Sequence, residues 1–572
     1  MIKDWKLKPP VPAGFSASFP ALHPLLAQLL YNRNITEQVA LDNFMRPVFG
    51  KLHDPFLFKD MEKALTRCLK AIENKEKILI HGDYDADGVT SAAVLYKTLK
   101  FLGADVTVFI PHRENDGYGL NLKNVEIFIQ QKINLLITVD CGITNVNEIK
   151  ALHDGGVDVI VTDHHEPPQI LPEAIALLDP KVPDSGYPFR DLAGAGVAYK
   201  FSQALLSRSA RAGEAEPFLK WLLDIVAIGT IADVAPLIGE NRILAKWGLV
   251  VLEKTRNLGL QKLLLTSTMK KIDGYTVGFY IAPRLNAAGR MKHATASFRL
   301  LVTDDEMEAE RLAAELNENN ADRQKVTEIS FNLARDRFLS FSEENKFLFF
   351  YDKTLLPGII GLVAGKLCEE YYRPVIVMTE SAGKIVGSGR SVEGFNITAG
   401  ITEVSAYLAR FGGHSQACGF TLAESDLLDI FQNEFLEKNH PHLACLNFTP
   451  YLEIDAEVRF SEMKIELMEQ LCQFEPHGEA NEKPLFLMRG ITVAAVDAIG
   501  SESTHLRLLA KHDSPKLFKM LWFRKATEWL NRIAPGDTID AVVELGINEW
   551  NGNREVEVKI VDLKTLNSSP QL

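Results

Sequence analysis

The sequence predicts a multidomain α/β protein. A parallel-sheet domain is joined by a long helix to a second, smaller α/β domain, and a small β-barrel follows. Three observations carry this. Short β-branched runs alternate with helix-length segments between about Lys77 and Val161. A charged stretch free of Pro and Gly fills Asp304–Phe338. From about Thr449 onward the chain becomes strand-rich. At 572 residues the chain is too long for one core, so three or four domains are expected.

Residues 1–50 are rich in Pro and aromatic residues and then turn helical, which suggests a packed N-terminal extension. Residues 51–300 form the first α/β domain. Its strands are expected at Ile78–Ile80, Val106–Ile110, Leu135–Val139 and Val157–Val161. Helical segments at Val89–Leu102, about 123–131 and Val146–His153 separate them, implying right-handed crossovers and a parallel sheet. Ligands of such sheets gather at the carboxyl ends of the strands. Residues 195–260 read as mostly helical.

Residues 301–342 form the connecting helix, with apolar Met307, Leu312, Leu316, Val326, Ile329 and Leu333 near helical spacing. Such a helix spans roughly 50 Å. Residues 343–447 hold the second α/β unit, with strands at Lys346–Tyr351, Pro374–Met378 and Lys384–Gly387 and a helix at Gly358–Tyr372. Residues 448–566 carry about five strands with turn signals near Asn481–Pro484 and Asn551–Asn553, which suits a barrel of the OB type. Asn567–Leu572 reads as a frayed tail.

The N-terminus lacks the apolar stretch of a signal peptide, and Asp224 and Asp233 interrupt the longest apolar run, Trp221–Ile238. Six scattered cysteines without a C-x-x-C pair argue against a zinc cluster or disulfide framework and for a reducing cytoplasm. The formal net charge of −13 speaks against general nucleic-acid affinity. Two stretches reverse that sign locally. Lys270–Arg299 has six basic residues against one acid, and Arg507–Arg532 has seven against two. Each is either part of a polyanion path or a solvated face.

Chemistry concentrates in four clusters. His81, Asp83, Asp85 and Asp87 follow the first strand, Asp140 the third, and Asp163-His164-His165 the fourth; Asp233 follows Ile-Gly-Thr-Ile-Ala, read as a further strand end. Three carboxylates within five residues repel one another, and burying them unpaired is costly, so a cation is expected. Carboxylate and imidazole donors without thiolates favour Mn²⁺ or Mg²⁺. The donors outnumber what one ion needs, so two divalent ions are expected, the usual device for hydrolysing phosphate esters.

His-Gly-Asp-Tyr-Asp-Ala-Asp-Gly at 81–88 and Asp163-His164-His165 resemble the signatures of the DHH phosphoesterases. Pro55-Phe56, His112-Arg113, Gly117-Tyr118-Gly119-Leu120 and the run Pro283–Arg290 narrow the likeness to its bacterial single-strand-specific 5′→3′ DNA exonucleases. Gly412-Gly413-His414-Ser415-Gln416-Ala417-Cys418-Gly419 is similar to the glycine-rich motif of the DHH-associated domain. The likeness runs from about residue 45 to 565.

The resemblance implies that His81, Asp85 and Asp140 hold one metal and that Asp87, Asp140, His164 and Asp233 hold the other. Asp83 and His165 would lie beside the scissile phosphate, with His165 either a proton donor or an orienter. His414 would approach from the second domain, Gly412 and Gly413 letting backbone come close, unless it is a plain interdomain residue. Arg113, Ser388 and Arg390 match positions used to read a 5′ phosphate, and Arg284 and Arg290 are further, unranked substrate-binding candidates. It also implies release of 5′-mononucleotides in DNA repair and recombination, by a monomer working with a helicase and a single-strand-binding protein, with no membrane association.

In the barrel, Phe518, Trp522, Phe523 and Trp529 interleave with Lys516, Lys519, Arg524 and Lys525, a pattern that serves either single-strand stacking or an ordinary core. His477, Ala480 and Glu482 depart from the family's barrel motif, and in the glycine-rich motif Cys418 stands where the family usually has Ala. A small-substrate phosphoesterase would need neither barrel nor end-reading pocket. A binding scaffold on this fold would have lost metal ligands that are all present here.

Overall fold

The computed structural model describes residues 3–113, 115–267, 269, 271–338, 345–514, 516–550 and 552–566. Lys270 of the first basic stretch, the end of the connecting segment at 339–342 and the tail Asn567–Leu572 lie outside them.

One strand, β1 (Asp4–Leu7), and four α-helices, the last Met61–Glu73, precede the first sheet among the described residues. That sheet consists of β2 (Lys77–Gly82), β3 (Asp105–Phe109), β4 (Leu135–Val139), β5 (Asp158–Thr162) and β6 (Ala176–Leu178). Their order is β3-β2-β4-β5-β6 and every pairing is parallel. Central β4 is buried along its whole length, which is why Leu-Leu-Ile-Thr-Val is a continuous run and does not alternate. Leu79, Leu136, Val159 and Val161 pack against Phe128, Ile149 and Leu152 on one face. Helix α1 (Ala86–Phe101) starts where β2 ends, with the Asp85 carboxylate capping it by accepting from the Asp87 and Gly88 amides at 2.9 and 3.0 Å.

Asp233 does not end a strand. It caps the carboxyl end of the helix Leu223–Ala232. That segment's apolar run reads equally well as a buried helix or a buried strand, and its length settles the matter.

Helix α2 (Ala282–Met291) leads, through Thr295–Val302, to the connecting helix α3 (Glu306–Arg337). The face α3 buries differs from the one its apolar spacing suggests. Leu312 and Leu316 are buried, but so are Ala309, Ala313, Asn319, Asn320, Phe331 and Ala334. Met307, Ile329 and Leu333 are exposed, Met307 by 83%. Small and amide side chains fill the contact because neighbouring helices come close, and period alone cannot show that.

The second sheet has the order β10-β11-β9-β8-β7. Its strands are β7 (Leu348–Tyr351), β8 (Val375–Ser381), β9 (Lys384–Arg390), β10 (Leu408–His414) and β11 (Ala417–Leu422). Only β7 and β8 run parallel; the remaining pairs are antiparallel. These residues and the first sheet fall into one compact unit, Leu52–Ala235 with Trp247–Thr449.

A second compact unit gathers Met1–Lys51, Pro236–Lys246 and Pro450–Leu572. The N-terminal residues, read from the sequence as a packed extension, fall in the barrel's unit. β1 pairs in parallel with β12 (Tyr451–Ile454). The barrel is built from β13 (Ala456–Glu457), β14 (Phe486–Ile499), β15 (His505–Lys511), β16 (Phe518–Trp522), β17 (Thr538–Trp550) and β18 (Asn553–Thr565). β14 pairs with both β15 and β17, which closes it. Arg242 is buried inside this unit, donating to the carbonyls of Phe44, Phe474 and Gln473 at 2.9, 3.0 and 2.9 Å. Phe518 and Trp522 belong to the barrel core and Trp529 packs partly against it, leaving Phe523 exposed. The aromatic pattern of this segment is mostly core. Among the described residues no helix is long and apolar enough to cross a membrane.

Candidate metal centre

The carboxyl ends of β2, β4 and β5 meet on one edge of the first sheet, and the helix ending at Asp233 joins them. One ligand atom from each of Asp87, His164 and Asp233 lies within 4.8 Å of the others. The same holds for Asp83, Asp85 and Asp140, and for Asp140, His164 and His165. His164 Nε2 stands 3.0 Å from Asp140 Oδ1 and 3.8 Å from Asp87 Oδ2, while its Nδ1 is 3.8 Å from Asp233 Oδ2. Asp83 and not His81 completes the compact group around Asp85 and Asp140. His81 is buried nearby, with Nδ1 3.6 Å from the Cys141 sulfur and Nε2 without a partner. Asp83 Oδ1 is likewise buried and unpartnered. Orphaned acceptors beside crowded carboxylates fit a cation, since leaving them unmatched costs about 1–3 kcal/mol each.

Backbone geometry fixes these side chains. Asp140 has φ +58°, a left-handed conformation uncommon for a residue with a side chain, and its amide donates to Thr162 O at 3.0 Å. The two Asp87 oxygens accept from the Gly194 and Ala195 amides at 2.6 and 2.9 Å. Gly229 makes room for that carboxylate. A Cβ there would stand 2.6 Å from Asp87 Oδ1 and 2.3 Å from Thr90 Oγ1.

His165 is held by Asp163, whose Oδ1 lies 2.8 Å from Nδ1 and also accepts from the His164 and His165 amides. The Tyr118 hydroxyl is 3.1 Å from the same Nδ1. The sequence reading gave no role to Asp163, Tyr118, Gly194 or Gly229. The first two sit inside motifs it noted; the glycines carry no chemistry and leave no signal.

Burial, then the charges of Asp87, Asp85, Asp83 and Asp233, pushes the Asp140 carboxyl well above the usual carboxylate range. Asp83 and Asp233 move the same way, each mainly through burial. Burial and Asp85 raise Asp87 to about 7. Burial, reinforced by His165, holds His164 down at about 3, and burial holds His81 at about 4, so both imidazoles are neutral donors to a cation at neutral pH. For His165, burial opposes the charged form, but the Asp163 hydrogen bond and charge outweigh it and lift the group to about 9.

These directions set a pH test. Without metal, folded Asp87 binds a proton that the unfolded chain has released, so its contribution to stability falls as pH rises from about 4 to 7. Wild type should therefore gain roughly 1–2 kcal/mol relative to Asp87→Asn between pH 7 and 5.5 in EDTA. Mn²⁺ should stabilise wild type most at pH 7.5 and lose its effect in acid. Thermal melts check this, and a pH-independent difference between the two proteins contradicts it.

Beside the cluster lies a group of arginines. Arg390 Nη1 donates to Gly389 O at 2.7 Å and to Ser388 Oγ at 3.3 Å. Arg290 is held at about 9 by burial and then by the charges of Arg113, Arg323 and Arg390, while Asp85 pulls the other way. Arg323, from α3, is a member the sequence reading missed, and its Nε has no partner. Arg284 is engaged elsewhere, with Nε 2.6 Å from Asn317 Oδ1, Nη1 2.8 Å from Tyr280 O and its guanidinium 3.5 Å from the Tyr280 ring centre. His414 ends β10, exposed, and its charge is felt by His164. Gly413 has φ +148° and a Cβ there would meet Ala417 O at 2.2 Å, so the tight pairing of β10 with β11 requires glycine. At Gly412 a Cβ would meet open space, so no protein contact demands glycine there.

Family models match three segments: the DHH family N-terminal domain at residues 77–230, the DHHA1 domain at 344–439 and the RecJ OB domain at 454–562. The chain is 37% identical over 574 residues to the single-stranded-DNA-specific exonuclease RecJ of Bacillus subtilis, covering 98% of this chain and 70% of that protein. The crystal structure of RecJ from Thermus thermophilus in complex with Mn²⁺ superposes with a TM-score of 0.83 at 30% identity, covering 98% of this chain and 79% of that one. Its complex with Mg²⁺ gives a TM-score of 0.75 at 28% identity, covering 98% and 78%.

Proposed function

Because the chain belongs to the RecJ family of DHH exonucleases, we propose that it is a metal-dependent exonuclease that degrades single-stranded DNA from the 5′ end and releases 5′-mononucleotides. One observation carries this reading: a buried cluster of carboxylates and imidazoles lies beside a group of mutually repelling arginines. Such a pair of sites suits a phosphodiester next to a terminal phosphate.

His81, Asp85 and Asp140 would hold one divalent ion and Asp87, Asp140, His164 and Asp233 the other, with Asp83 close enough to join the first set. Bound Mn²⁺ or Mg²⁺ would activate water and offset charge on the leaving oxygen. The protein's own part is positional. Asp163 fixes His165 through Nδ1 and keeps it protonated, leaving Nε2 to donate to a phosphate oxygen as charge builds there. His414 would add a donor from the second sheet, in line with its electrostatic reach to His164. Arg113, Ser388 and Arg390 would grip the terminal phosphate, with Arg290 behind them. We divide the chain into an N-terminal extension at 1–50, a catalytic domain at 51–300, a connecting helix at 301–342, a DHH-associated domain at 343–447 and an OB-type domain at 448–566. We place the protein in the cytoplasm as a monomer, working in repair and recombination beside a helicase and a single-strand-binding protein.

Arg390→Ala tests the end-reading pocket. Charge-assisted hydrogen bonds are worth about 1.5–3 kcal/mol, so degradation of 5′-phosphorylated strands should fall about 10–100-fold while hydroxyl-ended strands change little. Equal loss on both ends would remove the pocket from the account.

A further inference from the structure

An exposed aromatic pair lies on the helical run that leads into the metal centre. Helical residues continue from Gly274 through a π-helical turn, Val277–Ile281, into α2. Tyr275 and Phe279 project from this run and stack on each other, with ring centres 4.5 Å apart and planes 21° from parallel. They are 58% and 68% exposed. The opposite face, Val277, Tyr280, Ile281 and Leu285, is buried. The chain therefore keeps two large rings in water while its core side is already filled, and π-turns of this kind recur at functional sites.

Half-buried Pro283, Asn286 and Arg290 continue from exposed Tyr275 and Phe279 at spacings of three or four residues, on one side of the helical run. The far end of the stripe reaches the chemistry. Asn286 Oδ1 accepts from the Ala86 amide at 2.8 Å, between Asp85 and Asp87. Arg290, half-buried, belongs to the arginine group beside the carboxylates. From Phe279 to Arg290 the helix rises about 16 Å. Stacked nucleotides advance about 3.4 Å each, so this distance is spanned by no more than about five of them. Lys271 and Arg284 neighbour the rings in the sequence, the Arg284 guanidinium lying 3.5 Å from the Tyr280 ring centre, while the acid Asp273 accepts from the Thr276 amide at 2.9 Å.

We propose that Tyr275 and Phe279 form a base-stacking platform for the incoming single strand, three to five nucleotides behind the end being cut. This rests on the reading of the chain as a single-strand exonuclease and adds the residues that hold the strand away from the reacting phosphate. Bases of any sequence stack on aromatic faces, so such a platform grips without selecting sequence and lets the strand advance one nucleotide at a time. Charge complementarity and continuity with the metal edge favour a nucleic acid over a second copy of the chain.

The test measures binding of fluorescent 5′-phosphorylated oligothymidylates to full-length protein in EDTA by anisotropy. Wild type is compared with Tyr275→Ala/Phe279→Ala and Tyr275→Leu/Phe279→Leu, the leucine pair retaining apolar bulk should the alanine pair fold poorly. Both variants should bind a 12-mer about tenfold more weakly and hydrolyse a dinucleotide at the wild-type rate in Mn²⁺. A single abasic site at one of positions three to six should weaken wild type by a similar factor and the variants no further. Unchanged 12-mer binding, equal loss on the dinucleotide, or the same abasic penalty in all three proteins would overturn the platform. So would variants that lose a self-association seen in wild type. A wild type that neither binds nor degrades strands would overturn the broader reading and the platform with it.

Discussion

Asp140→Ala should lower strand cleavage by about a thousandfold or more while leaving single-strand binding in EDTA near the wild-type level. The carboxylate sits 3.0 Å from His164 and within the same 4.8 Å group as Asp83 and Asp85, so its loss removes the one donor shared by both proposed ion sites. Asp140 is not among the charges acting on Arg290 in the arginine group proposed to hold the strand's end. Two readouts separate the effects. Steady-state degradation in Mn²⁺ reports the chemistry, and anisotropy in EDTA reports the grip. In the metal-free state the variant should also be at least as stable as wild type, because a buried carboxylate crowded by four others is removed. Retained turnover would refute the shared-donor assignment.

Gly229→Ala should cost about a hundredfold in activity through a single methyl group. The new Cβ would stand 2.3 Å from Thr90 Oγ1, 2.6 Å from Ala195 Cβ and 2.6 Å from Asp87 Oδ1. No flexible side chain tip alone can relieve these contacts, because Ala195 and Asp87 are tied together by an amide–carboxylate hydrogen bond of 2.9 Å. The strain should cost about 1–3 kcal/mol of stability and shift Asp87 relative to His164 and Asp233. A displacement near 1 Å at a reacting centre is enough for a loss of about two orders of magnitude. Mn²⁺ titration by calorimetry should show weakened binding, with the 5′-phosphate preference kept. Wild-type metal affinity in this variant would show that Asp87 is not held where the assignment needs it.

How far these sites could be read from sequence depends on what each residue reveals there. The strands β2, β4 and β5 were legible because parallel strands buried on both faces read as unbroken β-branched runs, and their carboxyl ends pointed to the carboxylates and imidazoles that follow. β6 was missed, since a three-residue Ala-Leu-Leu segment has no period to detect. Asp233 stands out in the sequence as a candidate donor, but its placement at a strand end fails, because a buried helix without a polar face carries no helical signature. The connecting helix was located, yet its contact face was misjudged. Asn319, Asn320 and Ala334 face inward on α3 while Met307 and Ile329 face water, an arrangement set by neighbours distant in the chain.

The aromatics of the barrel show the opposite case. Phe518 and Trp522 alternate with lysines as stacking residues would, but alternation on β16 is also what a strand with one core face produces. Tyr275 and Phe279 drew no notice in the sequence, and their exposure is apparent only once Tyr280 and Ile281 are seen to fill the interior. Nothing in the sequence linked Pro236–Lys246 to the barrel either. That link rests on Arg242 reaching carbonyls more than two hundred residues away.

The central claim is that a caged pair of divalent ions meets the leading end of a single strand, and end-labelled digestion tests it most directly. Single strands labelled at the 5′ or the 3′ end are incubated with the full-length protein in Mn²⁺, in Mg²⁺ and in EDTA. The account predicts immediate release of labelled mononucleotide from the 5′-labelled strand, a shortening ladder from the 3′-labelled one, and no reaction in EDTA. Early loss of the 3′ label, or cleavage that persists without divalent metal, would contradict it.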